Sequence, residues 1–163
     1  MGGLHQACLL LGSNIEPEQN IPRAIELLGE QTSILQVSSV WESASAECCY
    51  PDYLNMAVQV STPLEAERLK EQVLRPLEAR MGRVRTEDKN AARPIDFDII
   101  LFDGTLVDAT LLQYAFRALP VSEIYPDFHS ETGEPLKVIA KRLAQVNPVQ
   151  IRKDITVSIP ENG

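Results

Sequence analysis

The run of residues 95–102, Ile-Asp-Phe-Asp-Ile-Ile-Leu-Phe, most constrains what this chain can fold into. Its β-branched and aromatic residues are typical of a central strand. Because side chains alternate across a strand, Asp96 and Asp98 share one face and Phe97 points to the other. Two like charges side by side are costly unless water solvates them or a cation neutralises them. Taken alone, the pattern favours a water-exposed polar face, and the alternative is an oxygen-ligand site for Mg²⁺.

The order of predicted elements up to this run is β-α-β-β-α-β. This order predicts an α+β fold, a ferredoxin-like sandwich with an antiparallel sheet, two helices on one face, an open second face and a C-terminal extension. We interpret residues 12–14 as a turn, and we expect Pro76 to kink the second helix or remove a backbone bond. The expected strands are 7–11, 34–41, 53–60 and 95–102, and the expected helices lie around 21–28, over 64–83 and over 136–143.

Length and charge limit the classes of partner. A chain of 163 residues predicts a single domain over 1–163, and its net charge of −8 argues against a nucleic-acid partner. No apolar run approaches the roughly 18 residues of a membrane span. Three cysteines, two of them adjacent, do not form a disulfide framework. We therefore expect a cytoplasmic chain without membrane partners, as a monomer or a weak homodimer.

A basic segment precedes the carboxylate pair. Residues 75–93 carry six basic and three acidic side chains, so this window has a charge of +3 while the rest of the chain has −11. Arginines that hold phosphate oxygens beside carboxylates that hold a metal are suited to a magnesium nucleotide. The alternative is a solvated helix end whose basic residues complement the helix dipole. With the basic segment included, a magnesium-nucleotide site and a solvated polar surface are equally favoured.

A second pair of polar positions lies on the strand predicted at 53–60. Tyr53 and Asn55 are two residues apart, so both point to one face and Leu54 points to the other. An aromatic ring beside an amide can stack on and hydrogen-bond a flat heterocycle. An exposed strand pair without a ligand is the simpler alternative.

These motifs together resemble the 6-hydroxymethyl-7,8-dihydropterin pyrophosphokinase family of folate biosynthesis. The resemblance covers residues 7 to about 104 and is most specific in its last block, where an arginine precedes the Asp-x-Asp strand. The matching blocks are Leu-Gly-Ser-Asn at 11–14, Pro-Asp-Tyr-Leu-Asn at 51–55, Glu78, Met-Gly-Arg-Val-Arg at 81–85 and Arg-Pro-Ile-Asp-Phe-Asp-Ile-Ile-Leu-Phe at 93–102.

The resemblance implies a ferredoxin-like fold and an enzyme that transfers pyrophosphate from ATP to the pterin hydroxymethyl oxygen, releasing AMP. It implies that Asp96 and Asp98 coordinate two Mg²⁺ ions, that Asp98 also orients or deprotonates the hydroxyl, and that Arg85 and Arg93 are catalytic phosphate-binding residues. The implied nucleotide-binding residues are Glu78, Arg85, Lys89, Arg93 and Ile99, and the implied pterin-binding residues are Ser43, Ala44, Tyr53, Asn55 and Phe116.

The sequence also departs from the family pattern. The nucleotide-binding loop after Gly104 is shortened, and Tyr114 stands where the family carries an arginine. Lys89 replaces an arginine and Asn90 an aromatic residue in the loop expected to close over substrate. These departures predict weaker ATP affinity. They also leave two alternatives open, namely a homologue that binds a pterin or nucleotide without transfer, and a plain interaction module.

Overall fold

The computed structural model describes residues 3–43, 52–83, 94–147 and 149–160. The strands are β1 His5–Ser13, β2 Ser33–Val37, β3 Trp41–Ser43, β4 Tyr53–Thr62, β5 Asp96–Phe102, β6 Thr105–Leu106 and β7 Gln150–Ile151. The helices are α1 Pro17–Gly29, α2 Ala66–Leu69, α3 Arg75–Arg80, α4 Ala115–Ile124 and α5 Leu136–Val146, with a π-helical turn at Lys70–Leu74 and a 3₁₀ turn at Ala109–Leu112.

The strands of the described residues form one sheet in the order β6-β5-β1-β4-β3-β7. β2 pairs with the same strand as β3, further along β4, and all the pairs are antiparallel. The predicted strand at 34–41 is therefore two short strands, β2 and β3, separated by Ser38–Val40. The central order β5-β1-β4 with β2 and β3 outside is the ferredoxin-like arrangement, so the predicted fold class is confirmed.

The first face of the sheet packs against α1 and the helix that contains α2 and α3. Ala7, Leu9 and Leu11 point from β1 into this core, where they meet Ile25 of α1 and Leu77 of α3. All five are buried. Burying leucine and isoleucine side chains such as the larger four contributes about 1.5–3 kcal/mol each, so this face carries much of the stability of the fold.

The prediction that the second face is open is wrong. Cys8 and Leu10, which alternate with the residues of the first core, pack with Ala118 of α4 and Ala140 of α5 in a second buried cluster. The uninterrupted apolar run 7–11 is typical of a strand covered on both faces. The C-terminal extension therefore forms a second helical layer that covers part of the second face.

The helix predicted over 64–83 lies at 66–80 and contains an irregular turn. Lys70–Leu74 forms a π-helical turn, and Pro76 follows it in the first turn of α3. A wider turn accommodates a proline because the ring removes one backbone donor and crowds the preceding turn. The helix ends before Gly82, whose φ of +94° is readily adopted by glycine.

The turn predicted at residues 12–14 begins later than expected. Gly12 and Ser13 belong to β1 and pair with Asn55 and Leu54 of β4. Chain reversal follows at Glu16, which has a φ of +39°. No helix in the described part of the chain is long and apolar enough to cross a membrane.

Candidate functional site

The open end of the second face holds a cavity of about 500 Å³. Its floor is the end of β1 with the neighbouring ends of β4 and β5, and its wall is the start of α4. A cavity of this size accommodates a small flat heterocycle. It is lined by Leu10, Gly12, Ser43, Tyr53, Asn55, Asp96, Asp98, Tyr114, Ala115, Phe116, Arg117, Asn147 and Val149.

Strand register explains why these residues meet. Gly12 pairs with Asn55 on one side and with Asp96 on the other, so the three form one row across the sheet. A Cβ atom on Gly12 would lie only 3.2 Å from the Asn55 Oδ1 atom. Because Gly12 has no side chain, the space over the middle of this row stays part of the cavity.

The β4 side of the cavity has a fixed amide and an aromatic ring. The Asn55 Nδ2 group donates to the Ser43 Oγ atom at 3.0 Å, and both side chains are buried. Tyr53 lies two residues before Asn55 and lines the same cavity. Leu54 points into the first core, as the alternation predicts. The amide is thus held in one orientation by its partner.

The α4 side of the cavity is aromatic as well. The Tyr114 and Phe116 rings stack with their centroids 5.3 Å apart and an interplanar angle of 24°. Tyr114 is 44% exposed, so this stack forms the rim of the cavity. Phe116 and Tyr53 line it from different elements, an arrangement suited to a planar ligand between aromatic groups.

Asp96 belongs to a buried ionic network. It accepts a hydrogen bond from the Arg83 Nη1 group, which also lies 3.1 Å from the Glu78 carboxylate. Glu78 is 2% exposed and accepts from Arg75 at 2.8 Å and from the Phe97 backbone N–H at 2.9 Å. Removing a partner from such a buried network is costly. The network therefore fixes Arg83 and Asp96 in place.

Asp98 has a different arginine partner. The Arg117 Nη2 group lies 3.2 Å from the Asp98 Oδ2 atom. Burial raises the pKa of the Asp98 carboxyl above its ordinary value, the Asp96 charge raises it further, and Arg117 opposes both effects. An additional positive charge nearby would stabilise the ionised form of a carboxyl group in this setting.

A second, smaller cavity of about 290 Å³ shares Asp98 with the first. It lies between the α2–α3 helix and the segment that follows β6. Arg75 and Lys70 line one side, and Ile99 and Val107 line the other. The Asp98 carboxylate therefore stands where two cavities meet.

The donor set at this junction suits Mg²⁺. Asp96 and Asp98 lie on one strand face, and each already attracts a guanidinium group. Within the described residues, no group of three or more histidine, cysteine, aspartate or glutamate side chains could hold a metal. Two carboxylates without further protein ligands fit an ion that completes its shell with water and phosphate oxygens, as Mg²⁺ does.

The structure brings six of the predicted site residues to the larger cavity and places two others elsewhere. Ile99 lines the smaller cavity, and Glu78 is buried behind β5, where it holds Arg75 and Arg83. The predicted residues Ala44, Arg85, Lys89 and Arg93 lie outside the described residues. The six that line the larger cavity are Ser43, Tyr53, Asn55, Asp96, Asp98 and Phe116.

Sequence reasoning missed two arginines that pair with the two aspartates. Arg83 lies in the Met-Gly-Arg-Val-Arg block, and the glycine before it was the available sequence signal that the helix ends there. Arg117 directly follows Phe116 in the first turn of α4. Its partner could not be inferred, because it depends on how α4 packs on the sheet.

Comparisons with known proteins agree on one family. Residues 8–126 match the family model of 7,8-dihydro-6-hydroxymethylpterin-pyrophosphokinase (HPPK). A curated relative, the folic acid synthesis protein FOL1 of Dictyostelium discoideum, is 33% identical over 130 residues. That match covers 74% of this chain but only 20% of the relative, so the chain spans about one fifth of that protein's length.

Solved structures show the same fold. A crystal structure of Plasmodium falciparum HPPK-DHPS with pteroate matches with a TM-score of 0.68 at 10% identity, covering 88% of this chain and 44% of the other. The wild-type form with pterin and p-hydroxybenzoate matches with a TM-score of 0.65 at 11% identity, covering 88% and 42%. At these identities the likeness concerns the fold alone.

Proposed function

The chain belongs to the 7,8-dihydro-6-hydroxymethylpterin-pyrophosphokinase family, and we propose that it transfers pyrophosphate from ATP to 6-hydroxymethyl-7,8-dihydropterin in folate biosynthesis. The observation that carries the proposal is the position of Asp98 on the walls of two cavities. One cavity suits a flat heterocycle, and the other is lined by the basic side chains of Lys70 and Arg75. A transfer between two bound substrates requires such a junction.

The larger cavity is the proposed pterin site. Phe116 and Tyr53 supply aromatic surface, and the fixed Asn55 amide supplies hydrogen-bonding groups for the edge of the heterocycle. Ser43 supports that amide from β3. Ala44, which follows it, is assigned to the same site by the family resemblance.

The smaller cavity is the proposed nucleotide site. Ile99 offers an apolar surface there, and Glu78 supports it from behind through Arg75. Arg85 and Arg93 are the proposed phosphate-binding catalytic residues, and Lys89 is proposed to contact the nucleotide from the same segment. The charge of +3 over residues 75–93, in a chain of −8, supports a polyphosphate on this side.

Members of the family use ATP and Mg²⁺. Asp96 and Asp98 are the proposed ligands, holding two ions. When bound, the metal supplies positive charge against the phosphate oxygens. The raised pKa of Asp98 supports this assignment, since a neighbouring cation relieves the cost of ionising a partly buried carboxyl beside another.

The proposed reaction balances as a single displacement. The hydroxymethyl oxygen forms a bond to the β-phosphorus of ATP, and the bond from that phosphorus to the oxygen bridging the α-phosphate breaks. AMP leaves with the bridging oxygen, and the hydroxyl proton passes to a base. Asp98 is the proposed group that orients or accepts it, because its carboxylate faces both cavities.

The proposal is tested by measuring AMP formed from ATP and Mg²⁺ with and without 6-hydroxymethyl-7,8-dihydropterin. We expect pterin-dependent AMP from the wild type and a loss of more than about 1,000-fold in Asp98→Asn, since the variant loses a metal ligand at the reacting centre. Asp127→Asn, which changes an aspartate with an 80% exposed side chain, is the matched control and should retain full activity.

Two outcomes would contradict the proposal. Near-full activity in Asp98→Asn would show that Asp98 is not a required metal ligand. No AMP from a folded wild-type protein at saturating ATP would instead favour a homologue that binds a pterin or a nucleotide without transfer. Thermal unfolding of each variant checks that the fold is retained.

We further propose that the chain functions as a single domain over 1–163, in the cytoplasm, with small-molecule partners. Its net charge of −8 supports small ligands over nucleic acid. A monomer or a weak homodimer is the proposed state, because the two apolar clusters of the described residues are enclosed within one chain.

A further inference from the structure

Arg117 has three partners that meet at the junction of the two cavities. Its Nη2 group is 3.2 Å from Asp98, and its Nη1 group is 3.5 Å from Asp108. The guanidinium carbon also lies 5.7 Å from the centre of the Phe116 ring. The Arg117 guanidinium thus contacts the proposed metal ligand Asp98, a second carboxylate and a ring that lines the proposed pterin site.

Asp108 is a fixed partner. Its Oδ1 atom accepts from the Thr110 N–H at 3.0 Å and from the Thr110 hydroxyl at 2.6 Å, which caps the 3₁₀ turn. Its backbone N–H and that of Val107 donate to the Ile100 carbonyl of β5. The remaining oxygen, Oδ2, faces Arg117. Asp108 therefore gives Arg117 a second, positioned carboxylate partner besides Asp98.

The two arginines that pair with Asp96 and Asp98 differ in how firmly they are held. The Arg83 side chain is 9% exposed and lies between Glu78 and Asp96 within the buried network. Arg117 is 18% exposed, and both of its carboxylate partners are 30% exposed. Its longer contacts and greater exposure permit exchange between partners, since such pairs contribute little individually.

We propose that Arg117 is an internal counter-ion of the site. It pairs with Asp98 in the metal-free chain and, anchored by Asp108, turns its charge to the polyphosphate when a magnesium nucleotide binds. This inference rests on the proposed function, since it requires a metal on Asp98 and a nucleotide beside it. It follows that Arg117 weakens the binding of a bare divalent ion while it strengthens the binding of a nucleotide.

The test measures these two opposite effects of Arg117, on the affinity for a bare divalent ion and on the affinity for a nucleotide. Binding of Mn²⁺ alone is measured by electron paramagnetic resonance, and binding of α,β-methylene-ATP with Mg²⁺ is measured by calorimetry. In Arg117→Gln we expect Mn²⁺ to bind about 3- to 10-fold more tightly and the nucleotide analogue about 10-fold more weakly, because the loss of one charge-assisted contact is worth about a decade of affinity. Arg117→Lys retains the charge and should restore most of the analogue affinity.

Arg142→Gln is the matched control. It removes an exposed arginine that makes two contacts of 2.6 Å with Glu134, away from both cavities. Neither affinity should change in this variant. Arg117→Met serves as a second neutral variant if thermal unfolding shows that Arg117→Gln is not folded.

The outcomes separate this inference from the function on which it rests. Wild-type binding of both probes with unchanged affinities in the neutral variants would overturn the counter-ion role alone. A parallel loss of both affinities would also overturn it, because a purely structural residue would produce that result. Failure of the wild type to bind either probe would overturn the proposed function as well.

Discussion

The two faces of the sheet use the same strands for different purposes. On the first face, β1 and β5 contribute Leu9, Leu11 and Phe97 to a continuous apolar core. On the second face, β1 contributes Cys8 and Leu10 and β5 contributes Ile100 to a smaller core with α4 and α5. The difference shows how a fold can keep its stability on one side and leave part of the other side for chemistry.

The charges at the open end are supported from the closed face. Among the described residues, Glu78 is the one carboxylate or basic residue buried below 9% exposure. It extends from α3, on the first face, to Arg83, which pairs with Asp96 on the second. The site is therefore anchored in the first core, which reduces the reorganisation required on ligand binding.

Neighbouring residues of β5 provide the strongest way to separate the two faces. Phe97 is 1% exposed in the first core, so Phe97→Ala should lower the free energy of unfolding by about 3–5 kcal/mol. Asp98→Asn, one residue away, should leave stability nearly unchanged while it abolishes turnover. Urea unfolding and AMP release measure the two effects in the same pair of variants.

The contrast between the faces fails if both variants act alike. A Phe97→Ala protein of wild-type stability would mean that the first core does not hold the sheet. An Asp98→Asn protein that loses several kcal/mol would mean that the carboxylate is structural.

Strand alternation predicted that the side chains of each pair share one face, and the family resemblance assigned both pairs to one site. The spacing of Tyr53 and Asn55 and of Asp96 and Asp98 placed each pair on one face, and register places both pairs on one cavity. Alternation is local, so it survives errors in where a strand ends. This is why Gly12 could be misassigned to a turn without affecting the other positions.

The covered half of the second face was harder to predict because its helix is atypical. α4 contains Pro120 and small residues, so its apolar side chains follow no clean period. Arg117 and Arg83 were missed for a related reason. Their partners depend on how α4 and the α2–α3 helix pack against the sheet, and a short window of sequence does not encode that packing.

Gly12→Ala tests the part of the second face where the apolar core ends and the larger cavity begins. The added methyl would lie 3.2 Å from the Asn55 amide oxygen and 3.9 Å from the Tyr53 ring. The Asn55 amide must then move by a few tenths of an ångström. We expect the KM for the pterin to rise about 10-fold with little change in kcat, since the methyl removes binding energy at a site away from the reacting atoms.

Gly3→Ala is the control for this substitution, because a Cβ atom there meets nothing within 4 Å. Steady-state kinetics with varied pterin distinguish the two variants. A lowered kcat with an unchanged KM in Gly12→Ala would contradict the placement of the pterin over this row of residues.

Cys8 tests whether the second face is a true core, with the smallest expected effect. Burial raises the pKa of its thiol from 9.0 to about 12. The unfolded chain therefore loses this proton above pH 9 while the folded chain keeps it, so stability is fully present below pH 9 and declines as pH rises toward 12. By pH 10 the loss is about 1 kcal/mol. Urea unfolding at pH 8 and pH 10 should show this decline in the wild type and a shallower one in Cys8→Ala. Equal declines would mean that water reaches the thiol, and the second face would then be covered only loosely.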